Sequence, residues 1–383
     1  MIYKKYIIPI FFLIGISSFI FGVSVGYYEI FPFDITNNSS QTNNSSIDTL
    51  DKISQDDIVG LIKIQDSKDI KFKKLHIINY IWKTNTLPSK LPDNIQKNFS
   101  DVRFENIENL EHIEKIEVSM DYMSCKNICV EHRLNLKSNS YLFLPEKSNN
   151  KLIIYHQGHA GGFVLGKDTI SDFLKEGYSV LAFSMPLVGD NNQPIADLGH
   201  FGKIKLTQHD QLALLETPDG ESPIKFFVEP IIVSLNYIEE NYNFESYYMV
   251  GISGGGWTTT LVTALDDRIS KSYSVAGSLP FFLRNDAQDL GDYEQRLTSL
   301  YKIANYLELY TMSSHGEERK HVQIFNKFDP CCFAGESSLI YYDAINLKLL
   351  DLPGTFEIWI DDTHKEHKIS THTRNLILTS MES

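Results

Sequence analysis

One stretch of five residues limits this chain more than any other. Gly251-Ile252-Ser253-Gly254-Gly255 follows Tyr247 to Val250, a short apolar and aromatic run of the kind that favours strands, and precedes a helix-like segment from Thr258 to Leu265. A serine placed there sits on a tight strand-to-helix turn. Such a turn holds the serine in a strained backbone conformation. A side chain two residues to either side would strike the neighbouring strand or helix, so glycine belongs at both places.

From Lys151 onward, candidate strands and helices alternate around this turn. The strands are Leu152–Tyr155, Ser179–Phe183, Tyr247–Val250, Lys271–Val275, Val322–Phe325 and Phe356–Ile360. The helices are Asp168–Glu176, Ile224–Tyr242, Trp257–Leu265, Leu297–Tyr310, Ser337–Leu350 and His367–Thr379. Alternation of this kind predicts a mainly parallel sheet with crossover helices. Ile113–Met120 and Ser140–Leu144 read as antiparallel strands ahead of it. Met185–Ser222 and Gly277–Lys320 exceed ordinary loop lengths. Each follows the carboxyl end of a strand, so both are expected to fold over the site as a cap.

The turn at Ser253 and the order of elements resemble the α/β-hydrolase superfamily over roughly Ile113 to Thr379. The resemblance implies an α/β-hydrolase fold: a mainly parallel central sheet flanked by helices, with cap insertions and here an N-terminal helical extension. It also implies that Ser253 is a nucleophile, followed in the chain by an acid and then a histidine. Asp329 lies just past the penultimate strand, where Pro330 ends the sheet ladder. It is the acid of choice, ahead of Asp361 and Asp362. After the last strand come His364 and His367. His367, immediately before the final helix, is preferred as the base, with His364 the alternative.

An acyl-transfer site also needs backbone N–H donors aimed at the developing oxyanion. Gly254, next after the nucleophile, is expected to supply one. The loop His156-Gln-Gly158-His159-Ala-Gly161-Gly162 resembles the family's H-G-G-G-type loop with one residue inserted. By that resemblance His159 supplies the second donor, and the insertion leaves Gly158 as the alternative. The reaction implied is hydrolysis of a small-molecule carboxylic ester through a Ser-His-Asp triad and an acyl-enzyme. A serine peptidase or acyltransferase on the same scaffold, or a catalytically silent membrane-tethered binding module, are the other readings. His200, His209, Trp257, Phe281, Phe282 and His315 fall in or near the cap segments as pocket-lining or cap-core residues.

His364 and His367 also form an H-x-x-H pair, but no third ligand and no H-E-x-x-H helix accompanies them. No metal and no cofactor is expected. A net charge of −14 argues against nucleic acid as a partner. The four cysteines fall as Cys125/Cys129 and Cys331/Cys332. Cys125 and Cys129 can be read as a small disulfide loop or as thiols and are assigned to structure rather than catalysis, and Cys331 and Cys332 as a vicinal disulfide bracing the loop after Asp329 or as buried thiols.

Residues 1–30 read as a transmembrane anchor. Lys4 and Lys5 precede an uncharged stretch, Tyr6 to Tyr28, long enough as a helix to cross a bilayer. The charge order puts the N-terminus in the cytoplasm and the catalytic body outside. Secretion after signal cleavage is the alternative, with Ser24-Val25-Gly26 as the cleavage region. Residues 31–55 read as an Asn/Ser-rich linker, 56–112 as an extension packed on the main domain, and 113–383 as that domain, with caps near 185–222 and 277–320.

Overall fold

The computed structural model describes residues 53–123, 133–198 and 202–382. The expected membrane span, most of the linker, Cys125, Cys129 and His200 lie outside these residues. Among the described residues, no helix is long and apolar enough to cross a membrane.

The chain begins with two helices, α1 (Gln55–Leu61) and α2 (Ser67–Trp82). The periodicity predicts helix across Ile58–Trp82, with Leu75, Ile78 and Trp82 inward. The structure breaks it, because Ile62 is extended and the Asp66 side chain caps α2 through the N–H groups of Lys68 and Asp69. The buried residues are Ile70, Ile77, Ile78, Ile81 and Trp82, so Ile78 and Trp82 face inward as expected, whereas Leu75 is 38% exposed. The extension packs on the main body through Trp82, whose Nε1 donates to the buried Glu229 at 2.8 Å.

A nine-stranded sheet forms the centre, in the order β1 (Asn94–Gln96), β2 (Leu110–Met123), β3 (Arg133–Pro145), β5 (Ser179–Phe183), β4 (Lys151–His156), β8 (Ser246–Ile252), β9 (Ile269–Val275), β10 (Lys320–Asn326), β11 (Thr355–Asp361). Neighbours from β5 to β11 run parallel, while β1, β2 and β3 add antiparallel pairs at one edge. Each strand expected from the sequence is present. β1 was not expected; it is a three-residue edge held only by pairing with β2.

β5 is buried at all five positions, as a parallel strand covered on both faces should be. The covering helices are α3 (Lys167–Lys175), α4 (Lys225–Asn241), α5 (Gly254–Leu265), α6 (Tyr293–Arg296), α7 (Thr298–Ile303), α8 (Tyr306–Ser314), α9 (Tyr342–Leu349) and α10 (Thr371–Glu382). The single helix expected over Leu297–Tyr310 is therefore broken. Ala304 is extended and Asn305 starts α8 with a capping box to Glu308. α10 starts four residues later than expected, because His367–Ser370 stay in the loop and the Ser370 hydroxyl accepts the Thr373 N–H at 3.0 Å.

The insertion after β5 carries a small antiparallel pair, β6 (Ile195–Asp197) and β7 (Lys203–Lys205), then a 3-10 helix, His209–Leu215. The insertion after β9 carries α6, α7 and α8, and α8 packs against α5.

Candidate active site

Every candidate group lies just beyond the carboxyl end of a parallel strand, where open α/β sheets place their sites. Ser253 joins β8 to α5 with φ 56° and ψ −128°, a left-handed conformation that few non-glycine residues adopt. Its N–H donates to Val275 O at 2.9 Å, and its carbonyl accepts the first helical bond from Trp257 at 3.0 Å. The glycines at either side are required by contact. A Cβ on Gly251 would stand 2.1 Å from Gly255 O, and one on Gly255 would stand 2.1 Å from His156 O on β4. The N–H of Gly254 is one of the first donors of α5 and has no partner within the helix.

Asp329 follows β10 and is buried. One carboxylate oxygen, Oδ2, meets His367 Nδ1 at 2.7 Å and accepts from Asn326 Nδ2 at 3.0 Å. The other, Oδ1, accepts from the backbone N–H groups of Cys331 and Cys332 at 2.8 and 3.4 Å. Burial raises the carboxyl's pKa, but these bonds and the nearby imidazole outweigh it and hold the group below the usual carboxylate range. Asp329 is thus an ionised acceptor aimed at one face of His367. The other ring nitrogen, Nε2, is buried with no hydrogen-bond partner among the described residues. Cys331 and Cys332 are joined as a disulfide, which resolves that pair.

His364 faces a different carboxylate. Its Nδ1 accepts the Glu366 N–H at 3.2 Å and its Nε2 stands 3.4 Å from Asp361 Oδ2. Asp361 is engaged by Thr363, Ser370 and Thr373, so it ties the histidine loop to β11 and the start of α10. Asp362 is exposed. The two imidazoles are therefore separately partnered and do not share a ligand set.

The loop after β4 lies directly on the turn. A Cβ on Gly158 would be 2.5 Å from Ser253 Cβ and 3.1 Å from Ser253 Oγ, and one on Gly254 would be 2.4 Å from His159 Cε1. Gly158 therefore rests on Ser253, and the His159 ring rests on Gly254. The His159 ring is held from the other side by Glu294 Oε1 at 2.9 Å and Asp292 Oδ2 at 3.2 Å. Burial opposes charge on His159, but these carboxylates prevail and its pKa rises above the ordinary histidine value. A cleft of about 580 Å³, lined by His159, Gly161, Leu187, Gln193, Lys205 and Thr207 among others, opens beside this loop.

Of the cap-segment candidates, His209 is buried beside His159, with ring centroids 4.8 Å apart. Trp257 is a core residue whose Nε1 donates to Tyr301 Oη at 2.7 Å. Phe281 packs edge-on against Tyr301 and Tyr306, and His315 bonds Ser67 at 3.0 Å. Asp292 and Glu294 were not singled out from the sequence. Nothing in their local spacing marks them, since their partners lie about 85 to 135 positions away in the chain.

No family model matches the sequence, and no curated protein matches it. Solved structures do. Acetyl xylan esterase 1 from Thermoanaerobacterium sp. is similar at 14% identity and a TM-score of 0.52, covering 86% of this chain and 98% of that one. An acetyl xylan esterase from Paenibacillus sp. is 13% identical, with a TM-score of 0.48 and coverage of 86% and 99%. An S-formylglutathione hydrolase from Agrobacterium tumefaciens is 14% identical, with a TM-score of 0.48 and coverage of 76% and 99%. Likeness at such identity speaks to architecture. The chain has the α/β-hydrolase fold, as its sheet order and strand-to-helix turn require.

Proposed function

We propose that this protein is a serine hydrolase of small-molecule carboxylic esters. The observation that carries the reading is the 2.7 Å pairing of Asp329 with His367 Nδ1, which leaves His367 Nε2 free at the sheet edge that also bears Ser253. Nε2 accepts the Ser253 proton as Oγ attacks the acyl carbon, and Asp329 holds the tautomer and stabilises the imidazolium. The oxyanion is met by the N–H of Gly254 and that of His159, with Gly158 the alternative second donor. The imidazolium then protonates the leaving alcohol, and water releases the acyl-enzyme.

We read the segments near 185–222 and 277–320 as the cap that selects substrate. Gln193, Lys205 and Thr207 in the adjoining cleft suit a polar alcohol portion. Because one similar structure is an acetyl xylan esterase, sugar acetates belong in the substrate panel.

The test is Ser253→Ala, assayed on graded p-nitrophenyl esters, sugar acetates and peptides, with fluorophosphonate labelling alongside. The expected result is labelling of the native chain alone and a loss of at least about 10³-fold in ester turnover with the fold retained. Near-native turnover in the variant ends this reading. We further propose that Tyr6–Tyr28 anchors the chain with the catalytic body outside the cytoplasm; a mature N-terminus near Tyr27 would instead mark a secreted form.

A further inference from the structure

We propose that His159 Nε2, His209 Nδ1 and the carboxylates of Asp292 and Glu294 form a divalent-cation site, with zinc the ion their chemistry suits best. One ligand atom from each lies within 4.8 Å of every other. They converge from three separate segments. His159 comes from the loop after β4, His209 from the 3-10 helix in the insertion after β5, and the two acids from the start of α6 after β9.

An ion pair between His159 and the acids accounts for part of this cluster but not for His209. His209 is buried, and its Nε2 meets Pro186 O at 2.8 Å. A carbonyl only accepts, so Nε2 carries the proton and Nδ1 presents a lone pair. That lone pair faces Glu294 Oε2 at 3.6 Å and Asp292 Oδ2 at 3.7 Å. Both His209 Nδ1 and Glu294 Oε2 are buried without a hydrogen-bond partner. Two buried acceptors facing each other repel, and each orphan costs about 1–3 kcal/mol. A cation between them removes both penalties. The Pro186 carbonyl then plays the outer role usual for a metal-bound histidine, orienting the ring through its second nitrogen.

The spacing agrees. Zinc holds nitrogen and oxygen ligands at about 2.0–2.2 Å in a tetrahedron, which sets neighbouring ligand atoms roughly 3.3–3.6 Å apart. Asp292 Oδ2 lies 3.2 Å from His159 Nε2 and 3.7 Å from His209 Nδ1, on either side of that value, while Glu294 turns Oε1 to His159 at 2.9 Å and Oε2 to His209 at 3.6 Å. Calcium seeks six to eight oxygens and suits this set poorly. A cavity of about 250 Å³, lined by His159, Thr207, His209, Asp210 and Asp292 among others, provides an entry path. The other candidate group, Cys331, Cys332 and His367, is closed to metal because its two sulfurs are bonded to each other. A metal at the first cluster would staple both insertions to the loop that rests on Ser253 and Gly254.

The site is tested on the untagged full-length chain, stripped with a chelator and titrated separately with Zn²⁺, Co²⁺ and Ca²⁺. The expected result is about one zinc per chain by elemental analysis, the strong visible bands of four-coordinate cobalt, and a higher thermal midpoint with zinc. His209→Ala and Glu294→Gln should each weaken zinc binding by more than about 100-fold. Ser253→Ala should bind zinc like the native chain, so the metal site and the hydrolase reading stand or fall separately. Zinc far below one per chain, no four-coordinate cobalt spectrum, or native affinity in both ligand variants would overturn the proposal. The cobalt spectrum is read on the unmodified chain, so a variant that fails to fold does not blunt the test.

Discussion

His364 and His367 lie three residues apart in one loop, yet a single hydrogen bond separates their surroundings. His367 is 2.7 Å from a buried carboxylate fixed by three further N–H donors, whereas His364 stands 3.4 Å from an acid already engaged by three hydroxyls and a backbone N–H. His367→Ala should therefore lower kcat by at least about 10³-fold, and His364→Ala by less than about tenfold. Asp329→Asn should cost about 10⁴-fold in kcat by turning the imidazole to the wrong tautomer. Steady-state kinetics on one ester, with circular dichroism to confirm folding, decides it; equal losses in the two histidine variants contradict the assignment. At this scale the serine was legible in the sequence because the glycines at 251 and 255 are sterically compulsory. The choice between the histidines was not, because it depends on where a side chain 38 residues upstream points.

Elements set the reach of these side chains. β11 ends at Asp361, and that carboxylate gathers Thr363, Ser370 and Thr373 into one knot, so the loop bearing His367 is pinned at both ends. Burial raises the pKa of Asp361, but the three hydroxyl bonds and the Thr363 N–H outweigh it and hold it well below the usual carboxylate range. The sign follows: a carboxyl depressed in the folded state adds stability above its unfolded value, about pH 3.9, and that stability is lost as pH falls through the folded value. Asp361→Asn should destabilise the protein by about 1–3 kcal/mol near neutral pH and by less toward pH 3. It should also lower kcat more than it raises KM, because His367, the proposed base, is less well held. Urea unfolding across pH checks the first part, and a native midpoint at pH 7 contradicts it. Strand positions were readable from apolar runs between turn residues. Helix breaks at Asp66 and Asn305 were harder, since capping side chains rather than hydrophobic period decide them.

Across the whole molecule, buried histidines couple stability to acid. His321 is fully buried on β10, where Gln323 Nε2 meets its Nε2 at 2.7 Å and Ser272 Oγ meets its Nδ1 at 2.7 Å. Burial pushes its pKa down to about 3, and that of His156 on β4 down to about 4. A histidine depressed in the folded state takes its proton only on unfolding. Stability is thus full above about pH 6.5 and falls below it, by about 1.4 kcal/mol per pH unit for each such group. In His321→Gln the decline between pH 6.5 and 4 should be shallower by about that slope, as denaturant unfolding would show; an unchanged slope contradicts the argument. The sequence by itself determined the architecture and the place of the candidate nucleophile, because parallel strands and a strained turn leave local marks in apolar runs and obligatory glycines. It also supplied a ranked candidate acid and candidate base. Only the tertiary structure decided which histidine meets Asp329, and only it brought His159, His209, Asp292 and Glu294 together. Those pairings join distant loops at one sheet edge, and folding creates that proximity without any trace in local spacing.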